Sequence, residues 1–180
     1  MLAGSVAHAE LVGDAEAGRK LAGQCRTCHG ADGYAQIPVA PHIGGEPVAY
    51  LAAQLTAFRE GTRQHEMMSV VAKSLTDMQI ADLAAWYGGV TAISDLPDGI
   101  SADAAPSACI TCHGADGLSL MQDAPNLAGE NVIYIETQLK AFRTGKRRHA
   151  AMTDIAKSLT EAEMRAAAEW YAATQLTLTR

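Results

Sequence analysis

Cys25-Arg26-Thr27-Cys28-His29 and Cys109-Ile110-Thr111-Cys112-His113 are two copies of one pentapeptide, and they decide how the rest of the chain is organised. Cys-x-x-Cys-His is typical of c-type haem attachment, in which both thiols bond covalently to the porphyrin and the His faces the iron. The two motifs use all four cysteines of the chain. They predict two haem c groups, with thioether bonds at Cys25, Cys28, Cys109 and Cys112 and with iron ligands at His29 and His113.

Two other kinds of Cys-x-x-Cys site fit the sequence less well. A thioredoxin-like redox pair belongs to a βαβ unit, and we find no strand pattern in the chain. A zinc site with four Cys ligands usually separates its two pairs by about 15–20 residues, whereas these pairs begin 84 residues apart. Neither alternative explains a His directly after each pair, so haem attachment is favoured.

The composition excludes two classes of function. The chain has 180 residues and a formal net charge of −6, and an acidic protein is ill suited to nucleic acid because counterion-release binding needs clustered Lys and Arg. No stretch of the sequence approaches the roughly 18 apolar residues of a membrane span. We therefore expect neither a nucleic-acid partner nor a transmembrane segment.

Residues 1–9 have the sequence MLAGSVAHA and look like the end of a secretory signal, with cleavage after Ala9. The alternative is a short N-terminal tail that was never part of a signal. Haem attachment to Cys-x-x-Cys-His in bacteria implies export, so the two features support each other. Together they predict a periplasmic protein.

The two haem motifs belong to a longer internal repeat, which sets the domain organisation. With a single offset of 84 residues and no gaps, residues 25–89 overlay residues 109–173, and nearly half of the positions are identical. We predict one domain at residues 10–90 and a second at residues 106–180. Residues 91–105 contain Pro, Gly, Ser and Asp without an apolar period, which predicts a linker.

Helical signals recur in both copies. Asp14 is a candidate N-cap for a helix that leads into the first haem motif, and Pro47 and Gly61 bound a second helix. Thr76 and Thr160 each open a later helix with the pattern of a capping box. These signals predict a helical domain that is used twice.

The copies differ just before the second haem motif. Pro106 lies three residues ahead of Cys109, and proline inside a helix removes a hydrogen bond and clashes with the preceding turn. We therefore expect a shortened N-terminal helix in the second domain, with a short helix beginning at Pro106.

Met68 and Met152 are the predicted sixth ligands of the two irons. They lie 84 residues apart, in register with the haem motifs, and Met is the usual partner of His in cytochromes c. We expect both on loops. Met67 overlays an Ala and is the weaker choice, whereas His65 and His149 are also in register and leave bis-His ligation as an alternative.

Two pairs of arginines, Arg59 with Arg143 and Arg63 with Arg147, are repeated in the same register. They are candidates for contact with haem propionates, since Arg suits bidentate carboxylate binding. The alternative is a solvated charge at a helix end. The basic run at residues 146–149 is a candidate docking patch for an acidic redox partner or an ordinary solvated loop.

These residues resemble the class I cytochromes c twice over. More closely, the chain is similar to the tandem di-haem proteins cytochrome c4 and the haem subunit of flavocytochrome c sulfide dehydrogenase. The resemblance implies an all-α fold, in which an aromatic residue of the last helix packs where the terminal helices cross; Trp86-Tyr87 and Trp170-Tyr171 match that place. It also implies that the carbonyls of Pro41 and Pro125 accept a hydrogen bond from Nδ1 of the two axial histidines.

The resemblance implies electron transfer between redox proteins, with a flavoprotein or a terminal oxidase among the candidate partners. The alternatives are a dedicated haem subunit of a larger dehydrogenase and a di-haem enzyme with an open iron position. Methionine in register in both halves argues against the open iron. We therefore expect an electron-transfer protein and no catalytic residues.

Overall fold

The computed structural model describes residues 12–180, so the proposed signal segment at residues 1–9 lies outside the described residues. We call residues 12–90 the first half and residues 106–180 the second half. The helices of the first half are α1 (Ala15–Leu21), α2 (Arg26–His29), α3 (Val48–Glu60), α4 (Met68–Ala72) and α5 (Asp77–Gly88). A 3-10 turn at Ala22–Gln24 connects α1 to the haem motif on α2.

The second half repeats this order without the first helix. Its helices are α6 (Ile110–His113), α7 (Val132–Arg143), α8 (Ala150–Ser158) and α9 (Glu161–Ala173). Before α6 the chain forms only a 3-10 turn at Ala102–Ala104 and a turn in which the Cys109 N–H donates to the Pro106 carbonyl at 2.9 Å. The short helix that we expected at Pro106 therefore starts four residues later, because residues 106–109 close a turn first.

The predicted helix boundaries have clear chemical causes. The Asp14 side chain accepts from the backbone N–H groups of Glu16 and Ala17 at the start of α1. Both capping boxes form, with Thr76 opening α5 and Thr160 opening α9. These caps satisfy backbone donors that the helix leaves unpaired.

Each half has its own apolar core. In the first half Leu51, Phe58 and Leu83 are among the buried residues that pack together, and Met68 packs against them from the side. The second half builds the equivalent cluster around Met164 and Tyr171, both of which are fully buried. The duplicated sequence therefore folds into two separate cores of the same design.

α1 crosses α5 at very close range, and glycine makes this possible. A Cβ atom on Gly18 would lie 2.0 Å from the carbonyl oxygen of Asp82. The Asp82 carboxylate also accepts from the backbone N–H of Asp14 at 2.8 Å, which ties the start of α1 to α5. The second half has no counterpart of this crossing among the described residues.

The first five residues of the predicted linker at residues 91–105 form a strand, and residues 96–105 contain only turns. Strand β1 (Thr91–Asp95) follows α5, strand β2 (Gln175–Thr179) follows α9, and the two pair in an antiparallel ladder. Ile93 pairs with Thr177, and these two positions are again 84 residues apart. The repeat thus extends beyond α5 and α9. Our expectation of no strands missed this two-stranded ribbon because its two strands lie far apart in the sequence.

The C-terminus extends from the ribbon onto the first half. The Arg180 guanidinium lies 3.2 Å from the centre of the Trp86 ring, and it donates to the Asp32 carboxylate and to the Trp86 carbonyl at 2.9 and 3.0 Å. A cation over an indole face is attracted by the ring quadrupole. The last residue therefore fastens the second half to the first.

Candidate haem sites

The four cysteines lie on or beside the short helices that carry the haem motifs. Cys25 immediately precedes α2, Cys109 immediately precedes α6, and none of the four forms a disulfide. Burial raises the pKa of Cys25 and raises that of Cys109 to about 11. Half-buried thiols at the edge of an apolar core suit covalent attachment of a porphyrin.

The axial candidates His29 and His113 are held in the same way in both halves. Nδ1 of His29 lies 2.9 Å from the Pro41 carbonyl oxygen, and Nδ1 of His113 lies 2.8 Å from that of Pro125. A carbonyl only accepts, so Nδ1 carries the proton and the Nε2 lone pair is free for a metal. Burial lowers the pKa of both imidazoles and favours this neutral form.

Nε2 of His113 is buried and has no hydrogen-bond partner among residues 12–180. Leaving a buried polar atom unpaired is costly, so such an atom calls for an explanation. An iron bound at this nitrogen supplies one. The residues present therefore fit a haem.

Met68 and Met152 do not lie on loops, contrary to our expectation. Met68 is the first residue of α4, and Met152 lies in the first turn of α8. Both side chains are half-buried and pack against the core of their own half, whereas Met67 is 62% exposed. The structure thus distinguishes Met68 from Met67 in the way the repeat does.

His65 and His149 form hydrogen bonds at the starts of α4 and α8. Nδ1 of His149 accepts from the N–H of Met152 at the start of α8, and Nδ1 of His65 occupies the same position beside Met68, each at 3.4 Å. Both imidazoles are exposed. This placement favours a capping role for the two histidines over iron ligation.

Arg59 and Arg143 are occupied at helix ends. Arg59 donates to the carboxylate of Asp77 at 2.7 Å and to the carbonyl of Leu75 at 3.2 Å. Arg143 contacts the Glu161 carboxylate and donates to the Leu159 carbonyl at 2.6 Å. These contacts brace the start of α5 and α9 and favour the structural alternative for this pair.

Arg63 and Arg147 instead face the opposite half. Arg63 donates to Gln138 at 2.9 Å, and Arg147 donates to Gln54 at 3.0 Å and to the Tyr50 hydroxyl at 2.9 Å. Arg147 is only 8% exposed. Tyr50 and Gln54 were not among the predicted site residues, although both are repeated in register as Tyr134 and Gln138.

The boundary between the halves also buries two acidic residues that we did not predict as functional. Glu46 and Glu130 are 4% and 2% exposed, and they occupy equivalent positions of the repeat. Buried carboxyl groups are rare unless they are paired. Their retention in both copies was a signal that the sequence offered.

Comparison with known proteins agrees with this geometry. The Cytochrome c family model matches residues 15–87, and the family model described as cytochrome c oxidase, cbb3-type, subunit III matches residues 102–170. The thiosulfate dehydrogenase electron acceptor of Thiomonas intermedia (strain K12) is 34% identical over 88% of this chain and 82% of its own. The chain is a tandem di-haem cytochrome c.

Further relatives place the di-haem cytochrome near cytochrome c4. Cytochrome c4 of Pseudomonas aeruginosa is 32% identical over 86% of this chain and 82% of its own. The crystal structure of reduced cytochrome c4 from Pseudomonas stutzeri superposes with a TM-score of 0.76 at 25% identity, and the match covers 91% of this chain and all of that one. Thiosulfate dehydrogenase (TsdBA) from Marichromatium purpuratum gives 0.77 at 33% identity, with 89% of this chain matched to 40% of that chain.

Membership of this family means that the di-haem cytochrome is an electron-transfer protein with two covalently bound haem c groups, at Cys25 and Cys28 and at Cys109 and Cys112. Each haem iron, when bound, carries one electron by alternating between the ferric and ferrous states. Within residues 12–180, none of the helices combines the length and the apolar character that crossing a bilayer requires.

Proposed function

We propose that the protein carries single electrons in the periplasm through two His/Met-ligated haems. His29 and Met68 would ligate one iron, and His113 and Met152 the other. The observation that carries the proposal is the pair of imidazoles whose Nδ1 donates to a proline carbonyl, which leaves Nε2 free for iron in both halves. The half-buried methionines, in register at the edge of each core, support the second ligand.

His29 with Met68, and His113 with Met152, would leave neither iron a free position for an added ligand. Such an iron exchanges electrons without binding a substrate, and Met as the sixth ligand raises the reduction potential. The protein would take an electron at one haem and pass it on from the other. The polar boundary formed by Arg63, Arg147 and their glutamine partners holds the two halves in one arrangement for this transfer.

The ligand set can be tested with optical spectra of the holo-protein, ferric and ferrous, with and without CO. We expect low-spin haems and no CO uptake. Met152→Ala should open the second iron to CO and leave the first unchanged, and Met68→Ala should do the reverse. Met67→Ala is the matched control, because its side chain is exposed. Ready CO binding by the unaltered protein would mean an open iron, and a catalytic role would replace the carrier role.

For the partner, we propose the catalytic component of a thiosulfate dehydrogenase. This is favoured by the similarity to a protein named as the electron acceptor of that enzyme. The alternative partners are a flavoprotein dehydrogenase and a terminal oxidase. Haem reduction on adding thiosulfate and the dehydrogenase together, and with neither alone, is the expected result; reduction only by a flavoprotein would assign the other partner.

Export is proposed from haem attachment together with residues 1–9. Fractionation of cells that express the full chain should place the haem-loaded protein in the periplasm. Haem-loaded protein found only in the cytoplasm would contradict this proposal.

A further inference from the structure

The buried residues Glu46 and Glu130 each reach across the boundary between the halves. Glu130 Oε1 accepts from the backbone N–H of His42 at 2.6 Å, and Glu46 Oε2 accepts from the backbone N–H of Asn126 at 2.8 Å. His42 and Asn126 are equivalent positions of the repeat, as are the two glutamates. The boundary therefore contains two equivalent hydrogen bonds, in each of which a backbone N–H of one half donates to the glutamate of the other half.

Each of these N–H groups belongs to the peptide group that holds an axial histidine. The amide between Pro41 and His42 accepts from His29 Nδ1 through its carbonyl and donates to Glu130 through its N–H. The amide between Pro125 and Asn126 links His113 to Glu46 in the same way. A single amide thus separates each axial imidazole from a carboxyl of the opposite half.

The side chains at positions 42 and 126 hold these amides in place by different chemistry. His42 Nδ1 accepts from the N–H of Ala35 at 2.9 Å, so Nε2 carries the proton and donates to the Gly129 carbonyl at 3.1 Å. Asn126 Oδ1 accepts from Ser119 N–H at 2.8 Å, and Nδ2 donates to Gly45 O at 2.9 Å. A histidine and an asparagine make the same two bonds, which indicates that this geometry is built rather than incidental.

Hydrogen bonds in a chain polarise one another, and the effect is larger where water is excluded. A carboxylate that accepts from the amide N–H makes the carbonyl of the same amide a stronger acceptor. That carbonyl then draws the Nδ1 proton of the axial histidine, so the imidazole becomes a more basic ligand. A more basic ligand stabilises the ferric state over the ferrous state.

We propose that the reduction potential of each haem is set in part by a glutamate of the opposite half. Glu130 acts on the haem attached at Cys25 and Cys28, and Glu46 acts on the haem attached at Cys109 and Cys112. This inference rests on the proposed ligation by His29 and His113. Glu46 and Glu130 are positioning residues, because they act through the amide and do not touch the iron.

The protonation state of the two carboxyls makes the effect depend on pH. Burial raises the pKa of Glu130 to about 8, and burial together with the nearby Glu130 raises that of Glu46 well above its usual range. The other groups that face them are the Arg147 guanidinium, the Tyr134 hydroxyl and neutral His42. Glu130 Oε2 is buried and has no hydrogen-bond partner among residues 12–180, and burial without a partner costs more for the charged carboxylate than for the neutral acid.

Reduction and protonation are therefore linked. The redox partner supplies one electron, which converts ferric to ferrous iron, and the carboxylate takes up one proton from water, which balances the added negative charge. The ferric state favours the carboxylate and the ferrous state favours the acid. The reduction potential should fall as pH rises and the glutamate ionises.

The experiment uses the holo-protein and the variants Glu130→Gln and Glu46→Gln, with Glu169→Gln as the control that removes an exposed charge from the second half. The potentials of both haems are measured by NMR-monitored redox titration between roughly pH 6 and pH 9. The haems are assigned from the axial methionine resonances that disappear in Met68→Ala and in Met152→Ala. The His42 and Asn126 amide proton shifts are followed in the same samples.

We expect Glu130→Gln to raise the potential of the first haem at high pH and to remove its pH dependence, with a smaller effect on the second haem. The ferric-to-ferrous ratio of the first haem at a fixed poise should fall on the order of tenfold, which is about 59 mV for one electron. Glu46→Gln should give the converse, and Glu169→Gln should change neither haem. The His42 amide shift should titrate with pH in the unaltered protein and not in Glu130→Gln.

Equal shifts of both haems in each variant, or a larger shift of the haem in the substituted half, would overturn the cross-half assignment. If Glu130→Gln does not fold, the unaltered protein still tests the proposal. The His42 amide proton shift and the reduction potential of the first haem should then change over the same pH range, and a His42 shift that does not follow that potential contradicts the proposal. Absence of axial methionine resonances would instead refute the proposed ligation. The two failures are thus distinguishable.

Discussion

Gly18→Ala tests the close crossing of α1 and α5, on which the first half depends. The new methyl carbon would lie 2.0 Å from the Asp82 carbonyl oxygen, 2.6 Å from its carbon and 2.8 Å from Cβ of Trp86. Two of these atoms are helix backbone, and the Asp14–Asp82 hydrogen bond holds the helices together beside the contact. The clash can be relieved only by moving one helix.

The expected cost follows from two opposing effects. Overpacking of a rigid contact lowers the free energy of unfolding by up to about 3 kcal/mol. The better helix propensity of Ala raises it by about 1 kcal/mol. The free energy of unfolding should fall by about 2 kcal/mol. For a half of this size, this lowers Tm by about 8–16 °C.

The assay is thermal unfolding of the holo-protein by circular dichroism, with hydrogen exchange to locate the loosened region. Gly23→Ala is the matched control, because a Cβ there has nothing within 4 Å, and we expect it to be neutral or to stabilise by about 0.4–1 kcal/mol. Protection should fall in α1 and α5 and remain in α7 and α9. Equal Tm values for the two variants would refute the reasoning.

Three further predictions concern a buried tyrosine hydroxyl, the Arg180 guanidinium and the buried Glu130 carboxyl. In a urea titration, Tyr171→Phe should lower the free energy of unfolding by about 1 kcal/mol, because the Tyr171 hydroxyl donates to the Gly114 carbonyl at 3.0 Å. Tyr87→Phe should lower it by less, since the Tyr87 hydroxyl has no hydrogen-bond partner among the described residues. Removal of Arg180 should lower the free energy of unfolding by about 1 kcal/mol and increase hydrogen exchange in α5, and unchanged exchange would contradict the role of the C-terminus. Burial raises the pKa of Glu130 to about 8 in the folded protein, so the folded state binds this proton more tightly than the unfolded state does. The contribution of Glu130 to the free energy of unfolding should therefore fall as pH rises from about 4.5 to about 8. In unfolding curves measured at several pH values, Glu130→Gln should remove this dependence on pH.

Several elements of the fold were predictable because their partners are close in the sequence. Thr76 and its N3 residue Gln79 form a capping box within one turn. Gly61 ends α3 in the left-handed conformation, with a φ of 78°, which any reading of a helix followed by glycine anticipates. The internal repeat supported each of these predictions a second time, since the same pattern occurs in both copies at the same offset.

The misplaced elements have physical reasons of their own. Met68 and Met152 follow loop-like sequence, yet each lies in the first turn of a helix. The backbone N–H of each methionine donates to Nδ1 of the histidine three residues before it. Thr91–Asp95 has no apolar period because each strand of the ribbon is half exposed and is defined by its pairing. Local pattern carries no information about such a partner.

The amino-acid sequence by itself determined the two haem motifs, the duplication, the helix caps and the candidate ligands, because these depend on residues within a few positions of each other or on a simple offset. Only the tertiary structure decided how the halves meet. The bond from His42 to Glu130 spans 88 residues, and that from Arg147 to Tyr50 spans 97. Contacts over such separations exist only once both cores have formed and packed together, so no local pattern specifies them.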